Sequence, residues 1–446
     1  RSDADWIDAA INHEWCWHDV LDPSIIECDE SAFILDNATV RVGNFAGTMR
    51  LLDPIVDGKP SDTERQLFVG VRGDPSITEI KVHLHGDGND NMLGVSPPTL
   101  DCFEGNTPPM STLNPPVPPT CAATALVQDY YCNGEPACTV GVNGNGKTQL
   151  PTEPFGMVID SSPFIVNDDG VKVPKPRLVV SHLATGQVSV IDISPGSQPD
   201  QSLLSESTAF FPADANGRHG AFGIAQQDPS DPHSLWYLTS SVNPLMATFR
   251  IADANVVVVA PQSTFALSNT FSQGTDVRDI VFDTGGQRAF VTENNPPSVM
   301  LLDTRVDPTS GNQPRNIITN VIDVCQEPSH FGVRRLSVAG APGTPPYTKT
   351  KLIVVCFGSS QVMIVDPDRP GVDGTVFSGI VGPNDITFNF SDEGSVQPIA
   401  DVGLGRHAYV TNYSESTIAI LDLEPGSPTE NRVIGKLGLP TDGFNP

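Results

Sequence analysis

Residues 406–424 read RHAYVTNYSESTIAILDLE: an apolar run, a polar turn, then a second apolar run ending on an acid. Apolar positions alternating on both sides of a short polar turn predict a β-hairpin. The same form recurs in RAFVTENNPPSVMLLDT from Arg288, KLIVVCFGSSQVMIVDP from Lys351, RLVVSHLATGQVSVIDI from Arg177 and SLWYLTSSVNPLMATFRI from Ser234. Weaker copies begin at Gln66 (QLFVGVRGDPSITEIKV) and Thr39 (TVRVGNFAGTMRLLDP), giving seven hairpins. A short apolar element precedes most of them, such as EPFGMVID from Glu153, AFGIAQQD from Ala221, VRDIVFD from Val277, HFGVRRLSV from His330 and PNDITFNF from Pro383. A further apolar run usually follows, as in NIITNVIDV or NRVIGKLGL. Four strands per recurring unit describe the blade of a β-propeller.

These residues resemble the YVTN-repeat β-propellers. Tyr409, Val410, Thr411 and Asn412 match the namesake motif of that family, and residues 289–292 nearly do. The resemblance extends over roughly residues 31–440 and implies a propeller in a secreted, periplasmic or surface-attached bacterial protein. It implies no particular activity, because a fold carries many functions. The expected architecture is all-β: a seven-bladed β-propeller over 31–446, with six blades as the alternative. The alternative arises because the first two hairpins, compared at Asp53 and Lys81, lie only 28 residues apart. Residues 1–30, with Trp6, Trp15 and Trp17, read as a short N-terminal arm or helix. Residues 84–150 read as a Cys- and Pro-rich insertion within the propeller, a disulfide-stapled loop without a sustained helical or strand period.

The eight cysteines are Cys16, Cys28, Cys102, Cys121, Cys132, Cys138, Cys325 and Cys356. No two are spaced as a zinc ribbon or a redox dithiol requires, so pairing in an oxidising compartment is the expectation. Cys16–Cys28 and Cys325–Cys356 are the favoured bridges, with two more among the four cysteines between 102 and 138. One of the apolar runs beginning at Ser24 and Ala32 is expected to join the last blade.

Charge narrows the partners. With 25 basic against 53 acidic residues, the net charge is −28. A polyanion such as nucleic acid is repelled, and so is an anionic membrane surface. No apolar run reaches the roughly 20 residues of a spanning helix. The sequence starts at Arg1 without a methionine and so reads as processed or trimmed, with room upstream for a signal peptide or a lipid-attachment cysteine. The expectation of an exported or cell-surface location rests on the resemblance and on the paired cysteines.

Candidate chemistry gathers where each blade begins. Glu153, His219, Asp276, Asp279, His330, Asn384 and Asp385 stand at the loops entering the first strands, and a propeller would converge them on one channel mouth. Carboxylates, imidazoles and amides so arranged suit a hard cation or a polar substrate, the plain alternative being that loop mouths are polar because they are wet. His83 and His85 share a face if strand-like, and Asp87 and Asn89 follow in an Asx-rich run: a metal site or simply a polar turn. No sequence spacing specifies general acid–base catalysis, no catalytic residue is assigned, and no phosphate loop or nucleophile elbow is present. No cofactor is expected, calcium being the ion these groups would suit. The reading that results is a non-enzymatic, exported propeller that binds a protein or a surface polymer. The alternative is an enzyme at the channel mouth, either a calcium-dependent hydrolase or lyase, or a quinone-type dehydrogenase.

Overall fold

A computed structural model describes residues 16–18, 25–28, most of 40–83, 99–102, 127–128, most of 150–388, 402–403 and most of 407–438. The fold is an all-β propeller, and its described strands form six blades, not seven. The chain divides into two compact units, residues 35–272 and residues 1–34 with 273–446.

The first unit holds three blades. Their strands are, in chain order, Ala46–Leu52, Glu64–Val71, Ser76–His83 and Thr99–Cys102; Pro154–Asp160, Arg177–His182, Val188–Asp192 and Leu203–Glu206; and Ala221–Gln226, Trp236–Ser240, Leu245–Ile251 and Thr264–Ala266. The other unit holds Val277–Phe282, Arg288–Asn294, Pro297–Asp303 and Ile317–Asp323; Pro328–Val338, Tyr347–Cys356, Gln361–Val365 and Thr375–Phe377; and Pro383–Phe388, His407–Asn412, Thr417–Asp422 and Arg432–Leu437. Within each blade, neighbouring strands run antiparallel.

The lost seventh blade has a physical cause. The apolar pattern from Thr39 is not a hairpin: Ala46–Leu52 is one strand, and it pairs with Glu64–Val71 as the first strand of the blade whose middle pair begins near Gln66. The expected insertion loop also yields strand, since Thr99–Cys102 and Val127–Gln128 both pair with Ser76–His83. At the N-terminus, Cys16–His18 and Ile26–Cys28 form a small hairpin instead of a helix. Ile26–Cys28 then runs parallel to Arg432–Leu437, so the run from Ser24 is the one that joins the last blade. Ile25 is buried there among Phe377, Ile380 and Leu423.

Three repeated contacts explain why these sequences fold as blades. First, the carbonyl of the residue before each first strand accepts the N–H of the residue that ends or directly follows the second strand. The acceptor–donor pairs are Phe45–Arg72, Glu153–Leu183, Gly220–Ser241, Asp276–Asn294, Glu327–Phe357 and Gly382–Tyr413, all at 2.8–3.0 Å. Second, every first strand opens with a bulge that the second strand stitches. In four blades a hydroxyl does this by accepting the bulge N–H: Ser181 from Gly156, Thr239 from Gly223, Thr292 from Asp279 and Thr411 from Asp385. The Thr of the YVTN-like motif is therefore a bulge clasp. Gly70 takes that place in the first blade, where an added Cβ would lie 3.3 Å from the Met157 sulfur. Third, an aspartate ends or directly follows the third strand in four blades and caps the N–H two residues on, as Asp192 does for Ser194 and Asp422 for Glu424, both at 2.8 Å. Asp303 and Asp366 do the same for Arg305 and Asp368.

Between the blades of each unit the middle strands are apolar on both faces, as in Leu178, Val179 and Val180 or Ile353, Val354 and Val355, all with no exposure. Cys325 and Cys356 form a disulfide with a Cα separation of 5.7 Å. Cys16 and Cys28 are direct register partners, but their side chains, like those of the cysteines at 102, 121, 132 and 138, lie outside the described residues. The Asn412 side chain is nearly fully buried and donates to Thr417 at 3.0 Å.

Candidate functional site

The bulges and the carbonyl clasps fix the positions at which each blade begins, and the candidate side chains divide between the two units.

In the unit of residues 273–446, Asp279 and His330 occupy equivalent bulge positions of successive blades. The structure brings them together, with His330 Nδ1 3.4 Å from Asp279 Oδ2. The same carboxylate oxygen accepts the Phe331 N–H at 3.3 Å, and Oδ1 accepts the Ile280 N–H at 2.9 Å. A carboxylate so held can orient an imidazole, and the couple can ligate or pass a proton. Asp276 turns to its own blade: Oδ2 receives Arg278 Nη2 at 2.7 Å and Asn294 Nδ2 at 3.2 Å, while Oδ1 is buried without a partner. Asp385 takes the bulge position of the last blade and caps Ile386. Asn384 offers its carbonyl to Ser329 at 3.2 Å. Two aromatics that sequence reasoning missed stand beside the same clasps. Phe357 and Tyr413 have ring centroids 6.3 Å apart, and Tyr413 is 76% exposed.

In the unit of residues 35–272, Glu153 Oε1 lies 3.3 Å from Arg72 Nη2. Arg72 in turn covers the Phe155 ring at 5.1 Å, and Phe155 meets Phe222 with centroids 4.1 Å apart. His219 is engaged differently, its Nδ1 2.6 Å from the Phe211 carbonyl. Phe45, whose carbonyl binds the Arg72 N–H, is 79% exposed and left-handed at φ 56°. Glu153 shares that conformation at φ 56°. Side chains rarely adopt it, and such strain concentrates at functional positions. Arg72 and Phe45 carry no motif, but both were findable as the residues flanking a first strand and following a second.

His83 does not lie at a blade entrance. It ends a third strand, and its Nδ1 is 3.5 Å from Glu64 Oε1. His85, Asp87 and Asn89 lie outside the described residues. Among the described residues no group of three or more His, Cys, Asp or Glu side chains is placed to hold a metal ion. A separate cleft of about 410 Å³ opens in the same unit, between Phe164, Ile165, Lys175, Arg177, His233 and Asn255. Arg177 is spent there on Asp160, with which it makes a buried ion pair at 2.8 Å, and on Asn255 at 2.9 Å. Among the described residues no helix is long and apolar enough to cross a membrane.

No protein-family model matches the chain, and no curated protein does. Solved structures similar to it include a functionally unknown protein from Desulfotomaculum acetoxidans. That likeness has 12% identity and a TM-score of 0.44, covering 88% of this chain and 89% of the other. A protein from Lactobacillus plantarum is similar at 12% identity and a TM-score of 0.44, covering 85% of this chain and 84% of that one. A periplasmic gluconolactonase from Pseudomonas aeruginosa is similar at 14% identity and a TM-score of 0.43, covering 89% and 98%.

Proposed function

We propose that this chain is an exported, cell-surface or periplasmic propeller that binds a partner through the entrances of its blades, without transforming it. The observation that supports this reading is the display of large aromatics at those entrances, Phe45 at 79% and Tyr413 at 76% exposure, next to charged groups. Aromatic faces beside paired charges suit a protein or a surface polymer, since ring faces bind apolar patches or sugar faces and the charges fix orientation. Export is supported by the Cys325–Cys356 disulfide, because such bonds persist in oxidising compartments. The carboxylates at the entrances are largely committed to the fold, Asp276 to Arg278 and Glu153 to Arg72.

The test is binding of the purified chain to immobilised cell-surface polysaccharide and to proteins cross-linked to it in its own cell envelope. A Phe45→Ser, Tyr413→Ser variant that folds normally should lose most of that binding. Equal retention of the variant and the original would reject the entrances of both units as binding positions.

The Asp279–His330 couple favours one second reading, an enzyme acting at that point, either calcium-dependent or quinone-type. Calorimetry with millimolar calcium and an absorbance spectrum of freshly purified protein address it. The absence of both a calcium heat and a cofactor band would dismiss both versions.

A further inference from the structure

At the far end of the first strand from the bulge, three blades place an acid against the arginine that starts, or just precedes, the apolar run of the second strand. Asp53 pairs with Arg65, Asp160 with Arg177 at 2.8 Å, and Asp283 with Arg288 at 2.8 Å. The fifth blade reverses this charge. Arg334 stands at the corresponding register position, within a first strand that here runs on to Val338, and its partner across the strand pair is Lys351. Like charges directly opposite repel, so this blade departs from the rule that the other three obey.

Arg334 is only 6% exposed. Its Nε is buried without a hydrogen-bond partner, and no salt bridge closes on its guanidinium among the described residues. The neighbouring acids are already occupied. Asp366 receives Lys351 at 3.0 Å, Lys349 at 3.2 Å and the Asp368 N–H at 3.1 Å. Asp422 receives the Glu424 N–H, Ser427 and Thr429, and Glu430 receives the Gly426 N–H. Glu430 and Asp422 attract Arg334 only at a distance, while burial pushes its guanidinium below the ordinary value. The first strand of this blade also has an extra neighbour, Val402–Gly403, which runs parallel to it with Gly403 opposite Arg334. A guanidinium carries five donors, and burying it without a partner is strongly unfavourable. Local rules broken at such a cost mark functional positions.

The geometry points to an anion site at Arg334, with Lys351 as its neighbour, taking a small oxyanion such as a carboxylate or phosphate group. The guanidinium fork matches either group through two parallel hydrogen bonds. The oxyanion supplies the acceptor that Asp160 and Asp283 supply in their own blades.

The experiment compares the full chain with Arg334→Met and Arg334→Lys, melted in rising inorganic phosphate or acetate against chloride at equal ionic strength. A ligand that binds the folded state raises its melting temperature with concentration. The expected result is a rise in phosphate or acetate for the unsubstituted chain, a smaller rise for Arg334→Lys and none beyond chloride for Arg334→Met. In chloride alone, Arg334→Met should melt at or above the unsubstituted chain, because an unpaired buried charge has been removed. Whichever anion gives the larger shift identifies the group bound. An unsubstituted chain that responds to neither anion would overturn the site, as would an Arg334→Met chain that responds equally. So would an Arg334→Met chain that melts well below the original in chloride, since Glu430 and Asp422 would then already satisfy the charge.

Discussion

Ser181 Oγ accepts the Gly156 N–H at 3.0 Å and donates to the Phe222 carbonyl at 2.7 Å, so one buried hydroxyl stitches a bulge and ties the second blade to the third. Thr411 does only the first of these, at 3.1 Å and in an exposed setting. Removing a hydroxyl from buried partners costs about 1–3 kcal/mol, and less where water can replace it. Ser181→Ala should therefore lower the urea midpoint clearly, and Thr411→Val only slightly. The reverse order would mean that the clasp is not what holds the bulge.

Asp160 and Arg177 form a buried ion pair, with side chains 0% and 5% exposed. Breaking it from one side leaves a buried charge, at about 3–5 kcal/mol, whereas replacing both partners with apolar residues of similar size is often near neutral. Arg177→Met alone should destabilise strongly in chemical denaturation, and Asp160→Leu with Arg177→Met should recover much of that loss. If the double variant is as unstable as the single, the pair stabilises the fold by more than its own compensation.

Burial pushes the fully buried His182 imidazole down from 6.5 to about 3. The unfolded chain takes up a proton below pH 6.5 and the folded chain does not until about pH 3. The stability that this group contributes is thus complete above 6.5 and is lost as pH falls, by about 1.4 kcal/mol per unit well inside the window. At lower pH, Asp303 adds to the loss, since Arg305 holds it below its ordinary value. Glu79 works the other way: burial raises its pKa, so protonation of its folded form relieves a cost as pH falls. A His182→Gln chain should therefore show a shallower loss of melting temperature between pH 6.5 and 4 than the original. Parallel curves would contradict the assignment.

Ile26–Cys28 adds a parallel strand to Arg432–Leu437, and Ile25 sinks into the core beside it. Deleting residues 1–30 should lower the melting temperature and promote self-association, because the edge strand is uncovered. Ile25→Ala in the full chain isolates the packing part, at about 2–4 kcal/mol. A truncated chain that melts unchanged and stays monomeric would show that the N-terminal hairpin contributes nothing to the blade.

The hairpins were legible because each middle pair carries its register in its own residues. In three blades a base opens the second strand directly opposite the aspartate that closes the third: Arg177 and Asp192, Arg288 and Asp303, His407 and Asp422. The blade count was less legible. TVRVGNFAGTMRLL has the apolar–turn–apolar form of a hairpin, but its second run pairs forward in the chain. Nothing local distinguishes a strand that pairs with its predecessor from one that pairs with its successor. The Asp279–His330 contact joins residues 51 apart, and it became visible only once the bulges were in register. Arg72 and Glu153, 81 residues apart, are joined by blade packing and could not be paired from sequence. The charge reversal at Arg334 was written in the sequence, but recognising it requires knowing that Asp160 and Asp283 are its equivalents.

The clasp at each blade entrance has a consequence for how this protein can change. Its acceptor is a main-chain carbonyl, supplied in turn by Phe45, Glu153, Gly220, Asp276, Glu327 and Gly382. The bond itself uses no side-chain atom, so a ring at Phe45 or an acid at Glu153 or Glu327 serves it, whereas Gly220 and Gly382 are held at positive φ where an added Cβ would crowd Val242 and Ser414. Where a side chain is already accommodated, at Phe45, Glu153, Asp276 and Glu327, the clasp and the chemistry displayed beside it are thereby uncoupled. Substitution there can exchange one specificity for another while the strands behind it keep their register, which makes the entrances the natural ground for divergence and for redesign.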